Sequence, residues 1–182
     1  MEVVDSGSGE HNRVMRHLWP IALAAPFVLF LTGARAAERT VAVFDFELVD
    51  TSLEGASHGP RADETARLAK LADELRHRLA QSGRFDVVDT APVAARAHAA
   101  NLQTCGGCDV ALARDVGAQL AVTGWVQKVS NLILNLNIVV RSVDTGEVIW
   151  IKSADMRGNT DESWDRTLDY LVGNYMLAPG AL

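Results

Sequence analysis

Residues 131–141 (NLILNLNIVVR) alternate with period two: Leu132, Leu134, Leu136, Ile138 and Val140 form one apolar row, and Asn131, Asn135, Asn137 and Arg141 fall on the opposite side. A helix, repeating every 3.6 residues, cannot keep such rows apart; a strand with one packed face and one wet face can. Turn chemistry follows in Val143-Asp144-Thr145-Gly146, and residues 147–153 return as an antiparallel partner. Residues 119–130 precede them as a long, mostly apolar strand. The last third of the chain is thus expected to be antiparallel sheet.

The stretch Cys105–Val126 (CGGCDVALARDVGAQLAVTGWV) leads into that sheet and holds the only two cysteines. Its middle, residues 109–117, reads as a short helix with Val110, Leu112, Ala113 and Val116 inward. Upstream, residues 40–48 (TVAVFDFEL) read as a first strand, with Ala42, Phe44, Phe46 and Leu48 on its core face. Residues 49–59 read as a loop carrying Asp50, Glu54 and His58. Residues 60–82 predict a helix: Pro60 suits the first turn, Asp63 and Glu64 complement the dipole, and Gly83 supplies the stop. Leu68, Leu71, Leu75 and Leu79 make its buried stripe, and His77 lies outside the stripe, facing Asp73. A brief strand over 84–89 and an Ala-rich helix over 91–102 follow, the latter carrying a solvated His98. Asn159 with Glu162 reads as a capping box opening a last helix striped by Trp164, Leu168, Leu171 and Tyr175. The order β-α-β-α-α-β-β-β-α predicts one α/β domain over 37–177, a sandwich with a mixed sheet of about five strands and helices packed on it, then a loose tail over 178–182.

The amino terminus reads as an address. Arg13, Arg16 and His17 precede the apolar run Trp19–Leu31, and Ala34-Arg35-Ala36 has the small-x-small pattern of a cleavage site. A run of about 13 residues is shorter than the roughly 18 a spanning helix needs, so residues 1–36 are expected to be a cleaved signal peptide. Met15 is an alternative start, because the acidic leader before Arg13 suits a signal poorly. Position 34 is Ala where a lipid-bearing Cys would stand, so the exported chain is expected to be periplasmic, without a stable membrane anchor. A formal charge of −6 with no Lys/Arg-rich run excludes the basic stripe that nucleic acid requires and suits anionic lipid poorly.

No known catalytic constellation is present. Gly106-Gly107 is too short to cradle a phosphate, no Gly-x-Ser-x-Gly elbow occurs, and Asp109 stands where haem attachment would need His. Neither a cofactor nor a metal is expected, since the acidic loop over 49–59 matches no metal-loop spacing. Cys105 and Cys108 are expected to pair in an oxidising compartment. Three roles are open to them. A structural disulfide closing so small a loop contributes only about 2 kcal/mol. A redox pair would draw on the helix amino terminus beside Cys108, as in thioredoxin, though Asp109 opposes it. A half metal site with His98 would need a fourth ligand.

The succession VAVFDFEL, SGRFDVVD, GAQLAVTGWV, VDTGEVIW resembles the TolB amino-terminal-like domains, also found in the curli-secretion lipoprotein and in outer-membrane activators of penicillin-binding proteins. The chain is more closely similar to an uncharacterised group of periplasmic domains with a Cys-Gly-Gly-Cys turn. The resemblance spans residues 40–171 and implies an envelope protein that docks onto partners without catalytic residues of its own.

The expected function is a non-enzymatic accessory module docking onto a cell-envelope or periplasmic protein. Its expected contact face holds Trp125, Asn131, Asn135, Asn137, Arg141 and Trp150. The alternatives are a thiol–disulfide accessory or sensor using Cys105 and Cys108, and a small-ligand or metal carrier using the acidic loop.

Overall fold

The structure, a computed structural model, describes residues 38–182. The expected signal peptide, its alternative start at Met15 and its cleavage pattern lie outside the described residues. Among the described residues, no helix is long and apolar enough to cross a membrane.

The elements run β1 (Arg39–Val43), β2 (Glu47–Asp50), α1 (Leu53–His58), α2 (Ala62–Gln81), β3 (Phe85–Val87), a 3₁₀ turn (Ala91–Val93), α3 (Ala94–Ala99), α4 (Cys108–Asp115), β4 (Leu120–Ser130), β5 (Ile133–Ser142), β6 (Val148–Met156), α5 (Asp161–Leu171) and a terminal π turn (Val172–Met176). One mixed sheet has the order β3-β1-β4-β5-β6, with β2 also paired to β4. β1 runs parallel to β3 and β4, and β4-β5-β6 is an antiparallel meander. This is the expected α/β architecture with its late strands antiparallel.

Both faces of the sheet carry helices. On the inner face, Leu71, Leu75 and Leu79 of α2 and Trp164, Leu168 and Leu171 of α5 pack against Leu134, Leu136, Ile138 and Val140 of β5, the row predicted from period two except for Leu132, which lies exposed in the turn before the strand. On the outer face, Val93, Ala97, Val110, Leu112 and Ala113 cover Ala42, Phe44, Ala121 and Val143. α2 and α5 are also laced by ion pairs: Arg67–Asp161 at 2.6 Å, Lys70–Asp165 at 2.6 Å, and Arg78–Asp169. Such exposed pairs contribute little each and serve mainly to fix the helices' alignment.

The first strand differs from its expected form. Val43 lies opposite Val122 and Glu47 opposite Trp125, so four steps along one chain pass three along the other. The extra residue is a β-bulge, and a one-residue offset exchanges the faces of everything beyond it. Ala42 and Phe44 therefore join the outer core, whereas Phe46 and Leu48 join the inner one. Phe46 needs room there. A Cβ on Gly124 would lie 2.5 Å from two atoms of its ring. Gly124→Ala is expected to cost about 1–3 kcal/mol through overpacking, and Phe46→Leu in the same chain to recover part of that loss; chemical denaturation of the two single variants and the double measures the coupling.

Four smaller differences have local causes. Residues 53–58, expected as loop, form α1, capped by the Ser52 hydroxyl accepting from Gly55 N at 3.0 Å. The cap of α5 is Thr160, whose hydroxyl accepts from Ser163 N at 3.2 Å; Asn159 is used elsewhere. His77 meets Gln81 at 3.0 Å rather than Asp73, whose carboxylate binds Arg76 at 2.8 Å. Leu182, within the segment read as a tail, packs beside the inner core, and its carbonyl accepts from Arg84 Nη2 at 2.8 Å.

Candidate functional site

Cys105 and Cys108 form a disulfide. Gly106 (φ 73°) and Gly107 (φ 113°) carry the chain through left-handed conformations between them, which is why two glycines separate the cysteines. α4 begins at Cys108, whose amide donates to Cys105 Sγ at 3.2 Å. Cys105 is exposed and Cys108 is half-buried against the outer core. Asp109 is buried, and its Oδ2 lies 3.3 Å from Arg141 Nε of β5. His98 is far from a zinc arrangement in its partnership: its Nε2 lies 3.2 Å from Asp45, the bulge residue, which Arg76 holds at 2.6 Å.

A second constellation was invisible segment by segment. Lys128, on β4, points to the inner face with no exposed surface. Its Nζ lies 2.7 Å from Glu64, 3.1 Å from Glu54 and 3.3 Å from Asp50. Asn159 donates to Glu64 Oε1 at 2.6 Å and to Asn131 at 3.0 Å, and accepts from Trp164 Nε1 at 3.1 Å. Asn131 in turn donates to Glu54 at 2.9 Å. The cluster fastens α1, α2, β4, the β4–β5 turn and the start of α5 at one point.

Burial pulls the Lys128 ammonium toward neutrality, but its bonds to Glu64, Glu54 and Asp50 outweigh burial and hold its pKa above the ordinary lysine value. Burial likewise opposes ionised Asp50, and hydrogen bonds from Ser52 and Lys128 prevail, leaving that carboxyl below its usual range. Glu54 is lowered by bonds from Lys128, Asn131 and Arg61. The carboxylates of the expected acidic loop therefore spend their charge on an internal cation, Lys128. One signal could have revealed it: Lys128 continues the inward phase of Val122, Gly124 and Val126.

The third feature is the sheet's outer face beyond α3 and α4. Of the residues expected to form a contact face, Trp125, Asn135 and Asn137 do come together there. Trp125 is directly opposite Asn137, and Asn137 donates to Asn135 at 2.6 Å. Arg141 lies on the same face but at its covered end, engaged by Asp109 and by Gly146 O at 3.3 Å. Asn131 sits in the turn, inside the Lys128 cluster. Trp150 pairs with Val140 and packs into the inner core at 8 % exposure, on the other side of the sheet. Sequence reasoning passed over the apolar members of the outer face: Val129 (47 % exposed), Ile133 (61 %) and Ile151 (58 %). They are continuous with the edge strand β6, where Val148 and Ile149 are also exposed. Between β6 and α5 runs a cleft of about 630 Å³ lined by Ser153, Asp155, Arg157, Glu162, Arg166 and Tyr170.

Several solved structures are similar in fold at low identity. The LpoB C-terminal domain from Salmonella enterica is 21% identical over 69% of this chain and 87% of its own, with a TM-score of 0.47. The PelC dodecamer from Paraburkholderia phytofirmans is 14% identical over 76% of this chain and 88% of its own, with a TM-score of 0.47. Lipoprotein GNA1162 from Neisseria meningitidis is 18% identical over 79% of this chain and 99% of its own, with a TM-score of 0.44. No curated protein matches the chain. Residues 39–176 match the model of a family described as "Protein of unknown function (DUF2380)", and the chain belongs to that family.

Proposed function

We propose that this protein is a non-enzymatic docking module of the cell envelope, exported to the periplasm, which binds another exported protein along β6 and the adjoining outer sheet face. The observation that carries the reading is the state of that edge. β6 is nine residues long, pairs among the described residues with β5 on one side only, and exposes Val148, Ile149 and Ile151. Sheet edges in monomeric proteins are normally blunted by prolines, bulges or outward charges, because free backbone donors and acceptors template pairing. In β6 the one register shift, at Ile149 between Val148 and Trp150, lies at the start of the strand; beyond it Lys152 turns to the inner face, 5.2 Å over the Tyr175 ring, and the outward row Ile151, Ser153, Asp155 carries a single charge. An extended segment of the partner, apolar and β-branched on one side, would continue the sheet. One of its faces would meet α5 across the cleft, and the other would extend the row of Ile133 and Ile151.

The exported address rests on the amino-terminal pattern, and the docking role also has the support of the TolB-like resemblance. A photocrosslinking side chain at position 151 of the exported protein tests the reading. It is expected to form a discrete adduct with one other exported protein, absent when the probe stands at Ala69 on α2 and lost on Ile133→Lys. Equal labelling at both positions, or an adduct with a second copy of this chain, would overturn it.

A further inference from the structure

We propose that Cys105 and Cys108 form a dithiol–disulfide exchange pair, in which exposed Cys105 meets thiols and disulfides from solvent and Cys108 resolves the mixed disulfide. The inference stands on the cysteine turn and is independent of the docking reading.

Three observations carry it. The bond joins residues three apart and crosslinks no two elements of the fold. Only Gly106 and Gly107 lie between, and both are surrounded by open space. Opening the bond therefore separates no two elements, and Cys108 can keep its place against the outer core, so both redox states are compatible with the same domain. The two sulfurs also differ in access. Cys105 is exposed, while Cys108 is half-buried as the first residue of α4. An incoming sulfur reaches Cys105 first, and Cys108 stands behind it at the distance a resolving thiol needs. Finally, the Cys105 sulfur has an acceptor in reach for a thiol proton, Leu102 O at 3.6 Å, and a donor in reach for a thiolate. The Cys108 amide donates to the sulfur at 3.2 Å from the amino-terminal turn of an eight-residue helix, whose dipole favours a thiolate. The one adjacent acid, Asp109, is buried and engaged with Arg141, so its charge does not stand free beside the sulfurs.

In the reducing direction, the Cys105 thiolate attacks a substrate disulfide. One substrate sulfur leaves as a thiol, and a Cys105–substrate bond forms. Cys108, giving up its proton, attacks the Cys105 sulfur, closes the intramolecular disulfide and releases the second substrate thiol. Two electrons and two protons pass from the protein to the substrate disulfide; the reverse sequence oxidises a substrate dithiol. A small thiol and a protein dithiol share this chemistry.

The full exported chain in its oxidised form would be incubated in one arm with reduced glutathione and in the other with a reduced, unfolded multi-cysteine polypeptide, followed by alkylation and mass measurement. Opening of the pair with unchanged circular dichroism is the expected result. Reaction in the glutathione arm alone identifies the small-thiol source, and in the polypeptide arm alone the protein source. With oxidised glutathione as probe, Cys108→Ser, which leaves Cys105, should form a mixed disulfide about tenfold faster than Cys105→Ser. A wild-type pair that stays closed in both arms, or two variants reacting no faster than an unstructured cysteine peptide, would overturn the proposal.

Discussion

Lys128→Met is expected to lower the stability of the domain by about 3–5 kcal/mol, because it takes the cation out of a buried cluster and leaves the carboxylates facing one another. Methionine fills nearly the same volume, so the loss reports charge rather than packing. Glu64 is the most affected: among the described residues its Oε2 has no hydrogen-bond partner, and without Lys128 its Oε1 would keep only Asn159. The pH dependence distinguishes this account from a simple packing defect. Asp50 and Glu54 have folded-state pKa values below their ordinary ones, so their contribution is complete above about pH 4 and is lost as pH falls through the lowered values. Lys128 is raised, so its contribution is complete below about pH 10.5 and is lost as pH rises through the raised value. Urea titrations from pH 7 to pH 3 should therefore show wild type losing stability on acidification and the variant losing less, so that the gap between them narrows. A gap that stays constant across this range would contradict the cluster's role.

Trp164→Ala should be comparably damaging, at about 3–5 kcal/mol, by a different route. Trp164 is 1% exposed and fills the inner core between α5 and the sheet, with the Arg67 guanidinium 5.9 Å over its ring. Its Nε1 donates to Asn159 Oδ1 at 3.1 Å, which helps aim the Asn159 amide at Glu64. Trp164→Phe keeps most of the volume but drops that donor, and should cost less than the alanine, with a penalty on the order of 1 kcal/mol for the hydrogen bond. Denaturant midpoints at unchanged m-value would measure both. Because Trp164 and Lys128 share Asn159 and Glu64, the double variant Trp164→Phe/Lys128→Met should fall short of additivity.

Much of the fold was legible in single segments. The stripe of α2, the stripe of α5 and the inner row of β5 from Leu134 to Val140 lie where periodicity put them, because an element's buried face is written in its own repeat; Leu132, the first residue of the predicted row, falls in the turn and is exposed. The cysteine turn was legible too, since two cysteines three residues apart are within bonding reach and the glycines between them take the left-handed conformations this turn uses. The residues expected to form a contact face are divided by the fold: Trp125, Asn135 and Asn137 lie together, whereas Asn131 and Trp150 lie elsewhere, and the exposed Ile133 and Ile151 carry no signal of exposure in their own segments. A residue in an apolar run reads as core until it is known which side its neighbours cover.

What the chain alone determined, then, is the set of elements and the inward phase of those with a long, clean repeat. What only the tertiary structure decided is how those phases are joined. The bulge at residues 44–46 exchanges the faces of the first strand, and its existence depends on the register with β4, with Phe46 finding space over Gly124. The Val140–Trp150 register sends Trp150 to the inner core; a slip of one residue would have turned it outward. Lys128 is tolerated inside only because three acids, from residues 50, 54 and 64, converge on it from other elements. Periodicity is a property of one segment, whereas register, bulges and charge compensation arise between segments distant along the chain. Those between-segment relations place β6 at the edge of the sheet among the described residues.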